Sequence, residues 1–112
     1  MAETFEVERI DDTTCARLVL RGELDLYSAP ALDDMLVDVE GEKWPHVILD
    51  MRELEFLDSA GLRLIVRTQA RAGQDGRHLV IIRGPETVQR VFTLTGLDAE
   101  FEFADAPVAV EE

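Results

Sequence analysis

His46-Val47-Ile48-Leu49-Asp50-Met51 is a short apolar run with a single carboxylate, the composition of a buried strand in a parallel sheet. Downstream, Leu62, Ile65, Val66, Gln69 and Gly73 recur at helical spacing and form an inward stripe. That spacing predicts a helix from Ser59 to about Ala72, ended by Gly73 and Asp75-Gly76. Leu79–Ile82 is another buried run. Strand, helix and strand in this order make a crossover unit, which joins parallel strands.

Working outward, Thr4–Arg9 and Thr14–Arg21 both alternate apolar and polar residues, and Asp11-Asp12-Thr13 between them reads as a turn. Two alternating runs with so short a link predict an antiparallel hairpin. Gly22–Tyr27 reads as a connector. Ser28 is placed to cap a helix whose inward face is Ala29, Leu32, Leu36 and Val39. Pro30 fits its first turn, Asp33 and Asp34 its positive end, and Gly41 its stop. On the other side, Gly84-Pro85 opens a third helix with Val88, Val91 and Phe92 inward. Gly96 fits its left-handed terminus, with Leu97 folding back on Phe92. Glu100–Ala104 reads as an edge strand. The prediction is one α/β domain over residues 4–105, with a mixed sheet and the order ββαβαβαβ, followed by an acidic, flexible tail at 106–112.

The chain has 112 residues, 11 Lys+Arg, 24 Asp+Glu and a formal net charge of −13. This balance disfavours nucleic acid and anionic membranes as partners, because both recruit Lys and Arg. The charge is not uniform. Residues 1–58 hold 5 basic and 16 acidic side chains, residues 59–97 hold 6 and 2, and residues 98–112 hold 6 acidic and none basic. The sign changes at Asp58-Ser59. No apolar run is long enough to span a bilayer, no secretory signal is visible at Met1-Ala2-Glu3-Thr4, and one cysteine suits a cytosolic protein. Neither His46 nor His78 has a metal-spaced neighbour in sequence, and no phosphate loop or nucleophile–base pair is apparent, so neither a cofactor nor catalysis is expected.

Phe56-Leu57-Asp58-Ser59-Ala60-Gly61-Leu62 joins a buried strand to a helix, at the carboxyl end of a strand, where α/β sheets carry their sites. Asp58 or Ser59 is the helix cap. A phosphate on Ser59 would sit at the positive end of the helix dipole, and Gly61 leaves the approach uncluttered.

Two blocks make the chain resemble the STAS family, typified by bacterial anti-sigma factor antagonists. They are Gly22-Glu23-Leu24-Asp25-Leu26-Tyr27-Ser28-Ala29-Pro30-Ala31-Leu32, and Val47–Met51 continuing through Phe56–Leu62. A weaker match is Val91–Leu97. The resemblance spans about residues 5–104, and Asp58-Ser59-Ala60-Gly61-Leu62 is its specific part. It implies a bacterial, cytoplasmic protein that binds an anti-sigma factor and so frees a sigma factor. The partner is implied to be a serine kinase that phosphorylates Ser59 and ends the binding, with a metal-dependent serine phosphatase reversing it. Partner contacts are implied for Asp25, Ser28, Asp58, Ser59, Gly61, Leu62 and Arg63. Ala60 stands where many members have a second serine, which leaves Ser59 as the sole hydroxyl of the block. Arg63 stands where some members have a small residue. Within the same family the alternatives are a stressosome subunit and a subunit of a lipid-transport ABC system. Monomer and homodimer stay open.

Other residues admit readings of their own. Arg63, Arg67 and Arg71 line one outward side of the second helix, as a partner surface or a solvated face. Leu64 points away from the inward stripe, either exposed or on a second buried face. Cys15 reads as a small strand residue, Trp44 as a shield for the base of the sheet, and both histidines as structural. Asp50 at the end of a strand invites comparison with the phosphoacceptor of response-regulator receivers, but Lys43, the only lysine, does not fit that pattern.

Overall fold

The two alternating segments pair as predicted. β1 (Phe5–Asp11) runs antiparallel to β2 (Cys15–Leu24), from Phe5 opposite Gly22 to Asp11 opposite Ala16. The computed structural model describes residues 5–107. Helix α1 (Ala29–Gly41) carries the chain to β3 (His46–Leu57), α2 (Ser59–Asp75) to β4 (His78–Ile82), and α3 (Glu86–Leu94) with a 3₁₀ turn at Asp98–Glu100 to β5 (Glu102–Ala104). The sheet order is β1-β2-β3-β4-β5, and β2 through β5 pair in parallel. This is the expected single α/β domain in the order ββαβαβαβ. Thr4 of the expected first strand and residues 108–112 of the expected tail lie outside the described residues; Ala106 and Pro107 are exposed.

All three helices pack on one face of the sheet. Leu32 and Leu36 of α1, Leu62 and Ile65 of α2, and Val88 and Phe92 of α3 share a core with Leu18 and Leu20 of β2, Leu49 of β3, and Ile81 of β4. The strand residues of opposite parity, Cys15, Ile48 and Ile82, form a small second cluster with Val80 on the other face. One-directional strand order with right-handed crossovers puts every helix on the same side.

Several local expectations are corrected. β3 is twice the predicted length, because Arg52–Leu57 continues it against Arg21–Leu24 of β2, so the Gly22–Tyr27 connector begins only after Leu24. Helix α1 runs through Gly41, and the left-handed residue that follows is Lys43 (φ 63°). Asp33 and Asp34 lie past the first turn of α1; Asp33 instead faces Arg71 of α2 at 3.6 Å. Helix α2 extends to Asp75, with Gly73 exposed inside it, and β5 begins only at Glu102. In α2 the buried apolar residues include Leu64, while Val66 is exposed, so the second buried face is the real one. The end of α3 follows prediction: Gly96 is left-handed (φ 76°), Leu97 N–H donates to the Phe92 carbonyl, and Gly96 N–H to that of Thr93.

The opposite face holds the buried carboxylate. Asp50 lies mid-strand, 1% exposed, between two arginines. Arg52 donates to it from Nε (3.0 Å), Nη2 (2.9 Å) and its backbone N–H (3.2 Å), and Arg17 from Nη1 (3.0 Å). Burial pushes the Asp50 carboxyl up, but the Arg52 and Arg17 bonds outweigh it and hold it below the ordinary carboxylate range. An acid so buried and so fully paired is closed to phosphoryl transfer, which removes the receiver-like reading.

Candidate functional site

The carboxyl ends of β2 and β3 bring the two sequence blocks together through Asp58. Asp58 takes extended backbone angles (φ −107°, ψ −175°) and caps α2, accepting from Gly61 N–H at 3.0 Å. Its other carboxylate oxygen accepts from Leu26 N–H in the β2–α1 loop at 3.3 Å, and its own N–H donates to the Leu24 carbonyl at 3.2 Å. One side chain thus joins the start of α2 to the loop 32 residues earlier. Of the two cap candidates, the structure selects Asp58 and puts Ser59 at the first helical position.

Ser59 is exposed, and its hydroxyl makes no hydrogen bond among the described residues. The neighbouring loop is closed by its own side chains. Asp25 Oδ1 accepts from the N–H groups of Tyr27 and Ser28, each at 3.0 Å. Ser28 Oγ donates to the Glu23 carbonyl (2.7 Å) and accepts from Asp25 N–H (2.9 Å). Ser28 occupies the cap position of α1 but does not cap with its side chain, because its hydroxyl is already spent on the loop. This turn holds Leu26 (64% exposed) and Tyr27 (88%) outward beside Asp58.

Gly61 and Leu62, implied as partner contacts, lie beneath this surface. Both are buried. A Cβ on Gly61 would come within 2.8 Å of Leu24 Cγ and of Leu57 Cδ1, and within 2.9 Å of the Leu24 carbonyl oxygen. The glycine therefore serves the close approach of α2 to the ends of β2 and β3, not the approach of a phosphate. Gly61→Ala is expected to destabilise the domain by about 1–3 kcal/mol in urea unfolding. An unchanged midpoint would mean that helix and strand separate freely.

Arg63 and Arg67 line a groove of about 260 Å³ between α1 and α2, with Leu26, Ala29, Pro30, Asp33, Ala60 and Leu64. Neither has an ion-pair partner among the described residues. Arg71, in the same stripe, is engaged by Glu40 at 3.0 Å as well as by Asp33. The stripe thus splits into a helix-bridging member and two cations that line the groove. Leu64 forms part of the groove floor, a role hidden from a one-face reading of the helix.

Among the described residues no group of three or more His, Cys, Asp or Glu is arranged to hold a metal, and no helix is long and apolar enough to cross a membrane. The STAS domain family model matches residues 4–108. The chain belongs to the STAS domain family. Among its relatives is the anti-sigma-F factor antagonist RsfB of Mycobacterium tuberculosis, 32% identical over 99 residues, covering 88% of this chain and 80% of that one. The anti-sigma-B factor antagonist of Staphylococcus epidermidis is 32% identical over 93 residues, covering 83% and 86%. A crystal structure of an anti-sigma factor antagonist from Mycobacterium paratuberculosis superposes with a TM-score of 0.80 at 27% identity, covering 92% of this chain and 87% of that one. This STAS domain has the family's fold, and its two motif blocks meet at Asp58.

Proposed function

We propose that this STAS domain is an anti-sigma factor antagonist, a regulatory binding protein and not a catalyst. It binds an anti-sigma factor and so frees a sigma factor. That partner is also a serine kinase, which moves the γ-phosphoryl group of ATP onto Ser59 Oγ and thereby ends the binding. A metal-dependent serine phosphatase hydrolyses the ester and restores it. The relatives' names support the antagonist role. The observation that carries the switch is the Asp58 carboxylate, which fastens both motif blocks together and leaves the Ser59 hydroxyl exposed at the first position of α2.

The partner surface is built from Asp25, Ser28, Asp58, Ser59 and Arg63, with Gly61 and Leu62 fixing the helix beneath them. Leu26 and Tyr27 add exposed apolar area, and Arg67 a second cation. The helix dipole favours a phosphate at this position, so modification leaves the fold intact and acts on the surface alone.

The deciding experiment is incubation with ATP and the kinase captured by pull-down, read by mass spectrometry. One phosphate on Ser59, absent from Ser59→Ala, is expected. Phosphate on another residue, or an ABC ATPase as the captured partner, would overturn the assignment.

A further inference from the structure

The two histidines, separated by 32 residues, meet at the opposite end of the sheet from Ser59. His46 begins β3, His78 begins β4, and the parallel register sets them side by side. Their Nδ1 atoms are 3.2 Å apart and the rings are nearly perpendicular, with an interplanar angle of 71°. On the far side of His78, Nε2 is hydrogen-bonded to the Glu102 carboxylate of β5.

We propose that His46 and His78 form a binding site for a divalent transition metal such as Zn²⁺, with Glu102 as the carboxylate that orients His78. Glu102 accepts only hydrogen bonds when ionised, so it fixes the His78 proton on Nε2 and leaves the Nδ1 lone pair facing His46. With metal, the proton of neutral His46 lies on Nε2 and both Nδ1 lone pairs coordinate. Two nitrogens bound tetrahedrally to one Zn²⁺ at about 2.0–2.1 Å are about 3.3 Å apart, so the observed spacing matches that of a chelating pair. Two imidazoles are fewer donors than a structural zinc site uses, so water completes the coordination and the site is exchangeable. Its effect is to tie the starts of β3 and β4 together.

Zn²⁺ titrated into the chelator-treated full chain is expected to bind one to one by calorimetry. It is also expected to raise Tm by roughly 10 °C at a hundredfold excess over Kd. His46→Asn and His78→Asn should each weaken binding at least tenfold, and Glu102→Gln by about 10- to 100-fold through loss of the orienting bond. Should a variant not fold, ring ¹⁵N spectra of the wild-type protein decide: both Nδ1 resonances shift with zinc. Equal binding by wild type and both histidine variants, or Nδ1 resonances unmoved by saturating zinc, overturns the site.

Discussion

Phosphorylation of Ser59 is expected to weaken binding to the proposed anti-sigma partner at least about a hundredfold relative to the unmodified form, a loss of about 2.7 kcal/mol. The charge at stake is about −1.5 to −2 on a side chain directly following Asp58. A partner surface fitted to a neutral hydroxyl would have to desolvate that dianion beside an existing carboxylate, which is enough to supply the loss. Ser59→Ala keeps the neutral surface and binds within about threefold of wild type, while Ser59→Asp, with one charge, falls between. Calorimetry on the four forms measures this directly. Equal affinities for the phosphorylated and unmodified proteins would refute the switch. Circular dichroism should show one fold throughout, because the new charge sits at the favourable end of α2.

Arg17→Met combined with Arg52→Met is expected to cost about 3–5 kcal/mol of stability at neutral pH, because it leaves the Asp50 carboxylate buried without a cation and with only the backbone N–H of position 52 as donor. The pH dependence identifies the cause. In the wild type the folded-state pKa of Asp50 lies below its unfolded value, so its stabilisation is complete above the unfolded pKa and is lost as pH falls through the folded one. Glu42, held to about 2 by Arg9 and then by Trp44, loses its contribution in the same acid window. In the double variant only the backbone N–H of position 52 still opposes burial, the largest influence on Asp50, so the Asp50 pKa rises above its unfolded value and the sign reverses. Its burial penalty is then relieved as pH falls from the raised folded-state pKa to about 4, where the unfolded carboxyl also protonates, so the deficit should shrink over that range. Urea unfolding across pH checks both slopes, and a deficit independent of pH would point to lost packing instead. Adding Asp50→Leu should recover most of the loss, since a buried ion cluster is worth little more than apolar groups of similar size.

The order of elements was legible because the apolar runs at Val47–Met51 and Leu79–Ile82 and the caps at Asp58 and Gly96 are local signals. The second half of β3 was not. Met51, Leu54 and Leu57 are buried and the residues between them exposed, a period of three that reads as neither strand nor clean helix. The cause is non-local: two register shifts in the β2–β3 ladder, between Val19 and Arg21 and between Gly22 and Glu23, break the period of two. At the site, the Asp-Ser-Ala-Gly-Leu block was visible in sequence. The bond from Leu26 N–H to Asp58 was not, nor was the pairing of His46 with His78, because both depend on register between distant segments.

Pairing of β3 with β4 ends at Asp50 opposite Ile82, while β3 itself runs on to Leu57. From Met51 onward one side of the strand has no β4 partner, and an open row of amides and carbonyls of that kind is a template on which another chain can add a strand. Here the exposed positions include Arg52, Glu53 and Glu55, and two register shifts interrupt the ladder on the paired side. Charged side chains and irregular edges are what stop strand edges from zipping together. The same polar residues that hide this half-strand from sequence patterning place charge along its unpaired side, a feature that disfavours edge-to-edge pairing, while the strand carries Asp58 and Ser59 out to its tip.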